Sequence, residues 1–293
     1  MARKFGARSG APAPWLLLTP ALLLLIAMTV APALYLLYSS LFHTELLSSE
    51  SQFVGLRNYL QVLTNSEIWH DALVTLQFVA LVVGVEMALG LALALLLDRK
   101  LPEQGIVSAL FILPLGVAPV VSALVFRQLL DPNYGWLDFY LNRPIEWLSN
   151  PGTAWVALVG LDAWQWTPFV ALIVLAGLQG VPEETKEAAR VDGAGSWQLF
   201  RRVTLPLLQP FLAVALLLRT IEAFKTFGTV KVLTGGGPGT STELVNLTIY
   251  RIALQDFNIG AAAALGICFL LVLSVIVQQL LRIFARNSEL VEV

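Results

Sequence analysis

Charged residues are scarce in this sequence. Asp, Glu, Lys and Arg account for 13% of the 293 residues, whereas an average soluble domain has about 25%, and 57% of the residues are hydrophobic. The mean hydropathy of +0.75 is too high for a soluble globular fold. The composition therefore predicts a protein that resides in a lipid bilayer.

Cysteine and histidine are also scarce. The single cysteine, Cys268, excludes an intramolecular disulfide. The two histidines, His43 and His70, lack His or Cys companions at ligand spacing, so no metal site is expected. The formal net charge of −2 provides no basic surface for nucleic acid. The sequence shows no Ser/His/Asp set and no paired carboxylates that would indicate a hydrolase. We therefore expect a protein that is not itself an enzyme and has no catalytic residues.

Six long apolar stretches are present instead. A helix needs about 20 mainly apolar residues to cross the hydrocarbon core, and in lipid its backbone must satisfy its own hydrogen bonds. The first stretch exceeds the core of a signal peptide, about 7 to 15 residues, so we expect it to stay attached. The predicted fold is an all-α integral membrane protein, a bundle of six transmembrane helices. The predicted spans are residues 15–38, 72–97, 105–130, 154–178, 207–227 and 259–284.

The basic residues indicate an orientation. Lys and Arg in short loops remain on the cytoplasmic side of a membrane. When both termini are placed inside (N-in, C-in), the cytoplasmic pieces hold most of the basic residues. The pieces are an N-terminal tail at 1–14, a C-terminal tail at 285–293 and loops that include a large one at 179–206. Their basic residues are Arg3, Lys4, Arg8, Arg99, Lys100, Lys186, Arg190, Arg201, Arg202, Arg282 and Arg286.

A glycine-rich segment, residues 235–242, has a superficial likeness to a phosphate-binding loop. That motif, G-x-x-x-x-G-K-[ST], needs a Lys that reaches the phosphates, and this segment has none. The predicted orientation also places it on the outer face, away from cytoplasmic ATP. No nucleotide or other cofactor is therefore expected in this chain.

The large cytoplasmic loop contains helix signals. Pro182 suits the first turn of a helix, and Gly193 is a predicted left-handed stop. Ser196 is expected to cap a second short helix through Phe200, and Thr204 to cap the fifth span. The loop is either a solvated segment kept out of the membrane or a surface that another protein contacts.

The spacing in this loop resembles a known signature. Glu187-Ala188-Ala189, then Gly193 and the run from Val203 to Pro206, matches EAA-x3-G-x9-I-x-LP, the EAA motif of binding-protein-dependent ABC importer permeases. Val203 in place of Ile is the one departure. The resemblance covers most of the chain from Phe53 and narrows to the carbohydrate branch of maltose- and trehalose-type permeases, first permease subunit. Further similar runs are Phe53 to Tyr59, Asp162 to Phe169, Leu233 to Glu243 and Tyr250 to Ala264.

The resemblance implies a type I ABC importer of the prokaryotic inner membrane that takes up an oligosaccharide such as trehalose. The implied partners are a second homologous permease subunit, two copies of a cytoplasmic ATPase that binds the ATP and Mg, and an extracytoplasmic solute-binding protein. Glycerol 3-phosphate or another polyol derivative is the alternative substrate, and a secondary transporter is the alternative class. The implied ATPase-coupling residues are Glu187, Ala188, Ala189, Asp192, Gly193, Leu205 and Pro206.

Charged residues within the predicted spans are candidates for the substrate pathway, because ionisable groups in a bilayer usually face protein or water. Glu86 lies in the second predicted span. Arg219 lies in the fifth, followed by Glu222 and Lys225 at three-residue steps on one helix face. These residues either contact the sugar or form an internal ion pair of Arg219 with Glu222 or Glu86.

Aromatic and polar residues give further pathway candidates. Trp164 and Trp166 either stack on a sugar ring or anchor the helix at the membrane interface. Asn246 is a candidate near the outer mouth. Asp162 is expected near the outer end of the fourth span, where its carboxylate would reach the interface.

Overall fold

Helices dominate the computed structural model, which describes residues 14–44, 51–99, 104–143 and 145–289. Most of the predicted N-terminal tail and the end of the C-terminal tail lie outside the described residues, as do Arg3, Lys4, Arg8 and Lys100. The helices are α1 (Pro14–Ser40), α2 (Arg57–Thr64), α3 (Ser66–Leu97), α4 (Gln104–Ile112), α5 (Pro119–Leu129), α6 (Trp136–Leu141), α7 (Pro151–Gln179), α8 (Glu183–Val191), α9 (Ser196–Leu199), α10 (Leu205–Phe224), α11 (Gly228–Leu233), α12 (Val245–Leu254) and α13 (Ile259–Glu289).

The chain divides into two units. The smaller comprises residues 1–64 and 252–268, and the larger comprises residues 65–251 and 269–293. Strands β1 (Phe42–Thr44) and β2 (Ser51–Phe53) pair antiparallel in the smaller unit, so the prediction of a purely α-helical chain is wrong at this point. The pairing forms in the segment that joins α1 to α2.

Asn58 organises the smaller unit. It is 2% exposed, and its Nδ2 donates to the backbone oxygens of Ser40 and Phe42 at 2.8 and 2.9 Å. Gly55 has a φ of 57°, which favours glycine. The run from Phe53 to Tyr59 is therefore a structural turn that ties the hairpin to the end of α1.

The core of the larger unit is built on α3, α7 and α10. Phe78, Leu158 and Leu161 are fully buried in it. Gly90 lets α3 approach α7 closely, since a Cβ there would lie 2.5 Å from Val170 Cγ1. Small residues of this kind allow helix backbones to pack tightly inside a membrane.

Five of the described helices are long and apolar enough to cross a membrane. A sixth span exists if α4 and α5 count as one, because they meet at a bend of 97°. The fifth span is longer than predicted, since α9 continues into α10 as one helix, Ser196–Phe224. The spans are Leu18–Ser40 of α1, Ser66–Leu97, Pro151–Gln179, Ser196–Phe224 and Ile259–Phe284.

The bend corrects the prediction of one continuous helix over residues 105–130. A 3₁₀ turn, Leu113–Gly116, follows α4, and Val117 and Ala118 then have extended backbone before α5. Ala118 precedes Pro119, and proline forces the residue before it out of the helical conformation. The buried Gln165 of α7 donates from Nε2 to the Val117 oxygen at 2.7 Å, which satisfies a carbonyl freed at the bend.

Candidate functional site

Helix α8 forms an exposed arm between α7 and α9, within the predicted cytoplasmic loop. None of its side chains is buried. Glu183 in its first turn forms ion pairs of 3.3 Å with both Lys186 and Arg190. The hydrogen bond and charge of Lys186, with a smaller contribution from Arg190, lower the pKa of Glu183 below its ordinary value. These pairs leave Glu187 exposed and outside the ion pairs of the helix.

The stop after α8 has the conformation that the sequence predicts. Gly193 has a φ of 81°, its N–H donates to the Arg190 oxygen at 3.0 Å, and the Ala194 N–H donates to the Ala189 oxygen at 3.0 Å. This pair of bonds satisfies the carbonyls at the end of the helix in the manner of a left-handed cap. Glycine suits the position because it adopts positive φ without steric cost.

Two capping predictions in this loop are wrong. Gly195, and not Ser196, occupies the N-cap position of α9, and its N–H donates to Gln198 Oε1 at 3.2 Å. Thr204 has helical backbone and makes no capping hydrogen bond, because a π-helical segment, Phe200–Thr204, joins α9 to α10. The loop therefore holds one separate helix, α8. It is followed by a membrane span that begins earlier in the chain than predicted, at Ser196.

The remaining coupling candidates lie at the two ends of this arrangement. Asp192 follows α8 directly, and Leu205 and Pro206 form the first turn of α10. Nearby, Val191 is 88% exposed and Trp197 is 68% exposed. Helix α8 and the α9 segment that follows it thus expose apolar side chains as well as the Glu-Ala-Ala run.

A charged triad, Glu86 of α3, Asp162 of α7 and Arg219 of α10, lies inside the larger unit. Arg219 donates from Nε to Glu86 Oε2 at 2.6 Å and from Nη2 to Glu86 Oε1 at 2.8 Å. The same Nη2 donates to Asp162 Oδ2 at 3.0 Å. All three side chains are at most 3% exposed. The Glu86 alternative for the ion pair is confirmed, and the Glu222 alternative is wrong.

Asp162 is the member that sequence reasoning missed. It is buried and bonded to Arg219, so the expectation that it reaches the interface is wrong. Its carboxyl group is tolerated between the helices because Arg219 supplies a charged partner inside the membrane. No local signal marks it, because its burial depends on Arg219, which lies 57 positions away along the chain.

The two tryptophan candidates have different surroundings. The ring of Trp166 lies 4.7 Å from Arg219 Cζ and covers the triad through a cation–π contact. Trp164 is 44% exposed, packs on Phe126 at 5.5 Å, and lines an apolar cavity of about 690 Å³ between α3, α4 and α7. Trp166 therefore belongs with the triad, whereas Trp164 faces away from it.

The other pathway candidates are not brought to the triad. Glu222 and Lys225 pair with each other at 2.7 Å and are 41% and 57% exposed. Asn246 donates from Nδ2 to the backbone oxygens of Phe224 and Thr226, at 2.7 and 3.1 Å. Asn246 thus holds the carboxyl end of α10 in place.

The glycine-rich segment is held by its own hydrogen bonds. Thr242 donates from Oγ1 to the Gly237 oxygen at 2.8 Å and from its N–H to the Gly236 oxygen at 3.0 Å. Glu243 is 6% exposed and pairs with Arg251 at 3.2 Å. Burial raises the pKa of Glu243, and the Arg251 charge offsets part of that rise.

Comparison with known proteins gives consistent matches. The family model described as "binding-protein-dependent transport system inner membrane component" matches residues 86–289, which include α8 and the triad. A trehalose/maltose transport system permease protein of Thermococcus litoralis is 38% identical over 265 residues, 89% of this chain and 90% of that protein. An sn-glycerol-3-phosphate transport system permease protein of Agrobacterium fabrum is 32% identical over 263 residues, 88% of this chain and 90% of that protein.

Among solved structures, a bacterial alginate ABC transporter in complex with alginate pentasaccharide-bound periplasmic protein contains a chain of the same fold. Its TM-score is 0.80 at 22% identity, over 91% of this chain and 91% of that chain.

Proposed function

This chain belongs to the family of binding-protein-dependent transport system inner membrane components, and we propose that it is the permease subunit of an ATP-driven importer for an oligosaccharide such as trehalose. It is a multi-pass inner membrane protein. In this proposal it forms half of the translocation pathway, and a second homologous permease subunit forms the other half.

The observation that carries the proposal is the exposed helix α8. It projects Glu187, Ala188 and Ala189 without burying any side chain of its own. Two alanines next to a free carboxylate offer a shallow surface that another protein can approach closely, with an acceptor for an Arg. We propose that a cytoplasmic ATPase, present in two copies and binding the ATP and Mg, receives α8 in a cleft.

The two basic residues proposed for the substrate pathway, Arg219 and Lys225, favour a neutral substrate. Arg219 is bonded to two carboxylates, and Lys225 is paired with Glu222. Neither cation is available as it stands for the phosphate of glycerol 3-phosphate, the alternative substrate that one relative's name suggests. The sugar arrives, in this proposal, from an extracytoplasmic solute-binding protein.

The proposed orientation, with both termini inside, has a direct test. A Cys268→Ser background would receive one cysteine at Val191, which is 88% exposed at the end of α8, or at Tyr140, which is 79% exposed in α6. An impermeant maleimide added to intact cells should label Tyr140→Cys only, and label Val191→Cys only after permeabilisation. The reverse pattern would refute the orientation.

The coupling proposal is tested in proteoliposomes that hold the complete transporter, with ATP inside and labelled trehalose with its binding protein outside. Glu187→Ala should reduce both uptake and copurification of the ATPase. Glu184→Ala is the matched control, because Glu184 is an exposed carboxylate of the same helix outside the EAA motif. Equal effects of the two substitutions would contradict the role of Glu187. Uptake of glycerol 3-phosphate but not of trehalose would favour the alternative substrate.

A further inference from the structure

The charged triad has one more acidic group than it has basic groups. Glu86 is 0% exposed, Arg219 is 1% exposed and Asp162 is 3% exposed, so water does not screen their charges. Arg remains protonated in proteins. If both carboxylates were ionised, the triad would leave a net negative charge buried in the membrane interior.

Cations on the helices packed around the triad are engaged elsewhere. Lys225 of α10 pairs with Glu222, and Arg127 of α5 donates to the Val232 oxygen at 3.1 Å. Lys231 of α11 lies over the Tyr250 ring, and Arg251 of α12 pairs with Glu243. Helix α13, whose apolar side chains pack against the same core, has no charged residue before Arg282.

Acidic groups on the same helices do not change this balance. Asp71, a buried carboxyl about four turns away on α3, accepts a hydrogen bond from Thr248 Oγ1 at 2.6 Å. Glu67 and Asp98 lie at the two ends of α3. The second carboxylate of the triad therefore has no cation of its own among these described groups.

The hydrogen-bond geometry brings the two carboxyl groups together. Glu86 Oε1 and Asp162 Oδ2 both accept from the same nitrogen, Arg219 Nη2, at 2.8 and 3.0 Å. Two carboxylates that share one site do not both ionise readily, because their like charges repel and neither is hydrated. A proton on one of them removes the net charge and supplies an additional hydrogen-bond donor.

We propose that the triad is a proton-binding site, in which one proton shared by Glu86 and Asp162 makes the cluster electrically neutral. One ionised carboxylate then balances Arg219, and the protonated carboxyl remains a hydrogen-bonding partner that links α3, α7 and α10. This inference does not depend on the substrate or on the ATPase.

Infrared spectroscopy of the purified full-length protein with its natural partners tests the proposal. In a detergent without ester groups at pH 7, wild type minus Glu86→Gln should show a carboxylic C=O band that shifts in D₂O. Wild type minus Asp162→Asn should show a band of similar size, because the remaining carboxylate ionises against Arg219. The control, Glu222→Gln, should show none. The absence of the band from either carboxyl variant's difference spectrum would overturn the proposal.

The yield of monodisperse protein provides a second readout. Glu86→Gln and Asp162→Asn should each remain within about twofold of wild type, since each leaves a neutral pair with Arg219. The double substitution should lower the yield at least about tenfold, because it leaves a buried cation without a counter-ion. Single variants that fall as far as the double variant would contradict the charge balance.

Discussion

Replacement of Gly193 gives the sharpest test of how the arm is built. A Cβ at Gly193 would meet no atom within 4 Å, so a substitution costs only backbone strain. At its φ of 81°, an L-residue loses about 1–2 kcal/mol relative to glycine. Because α8 buries no side chain, little packing opposes the fraying that follows.

The expected magnitude is a shift of about 5- to 30-fold in the population of the frayed end. Hydrogen exchange of a peptide that covers residues 183–195 should report it, because the Ala194 N–H is held by the Ala189 oxygen in the cap. Gly193→Ala should accelerate exchange there and reduce sugar uptake. Gly193→Asn should have a smaller effect, since Asn tolerates the left-handed conformation.

Gly195→Ala is the matched control. Gly195 lies two residues away, also has open space around it, and has a φ of −68° that any L-residue adopts. Alanine keeps the backbone N–H that donates to Gln198 Oε1, so this substitution should leave both exchange and uptake near the wild-type values. Equal acceleration in Gly193→Ala and Gly195→Ala would refute the strain argument.

Three further substitutions, two of them with a matched control, test the interior and the loop that contains Glu243 by thermal unfolding of the purified protein. Arg219→Met should cost about 3–5 kcal/mol by leaving a buried carboxylate without a cation, whereas Lys225→Met, in an exposed pair, should cost less than about 1 kcal/mol; similar losses would contradict the difference in burial. Gln165→Ala should cost about 1–3 kcal/mol by leaving the carbonyl at the bend unsatisfied, and the exposed Gln128→Ala on α5 should be nearly neutral. Burial raises the pKa of Glu243, so the folded protein is more stable when this carboxyl is neutral. This contribution to the free energy of unfolding is complete below pH 4.5, the ordinary pKa, and is lost as pH rises through the raised pKa of the folded state. Glu243→Gln should flatten that pH dependence, and an unchanged profile would exclude this residue as its source.

Local signals account for what was correct in the loop that contains α8. Pro182 and Gly193 are read from neighbouring residues. The structure has α8 between them, with Pro182 one residue before the first turn and not within it, and Gly193 in the predicted left-handed stop. The π-helical link through Thr204 was not predicted. Ser and Thr are common caps, but whether a helix begins there depends on the backbone on both sides.

The bend before Pro119 shows how a long apolar run conceals a local signal. Proline restricts Ala118 to extended backbone, and this was visible in the sequence. Hydropathy alone does not register the break, because the two halves together are apolar enough to be read as one span. The carbonyl freed at the bend is satisfied by Gln165, which lies 48 residues away along the chain.

The sequence by itself determined the membrane class, the approximate spans and the exposed helix α8, because hydropathy, capping residues and glycine conformations act over a few neighbouring positions. The tertiary structure alone decided the membership of the charged triad, whose ion pairs join Arg219 to Glu86 across 133 positions and to Asp162 across 57. Nothing local distinguishes a carboxylate that reaches the membrane interface from one that is buried beside a guanidinium. That difference arises only when three helices pack and water is excluded between them.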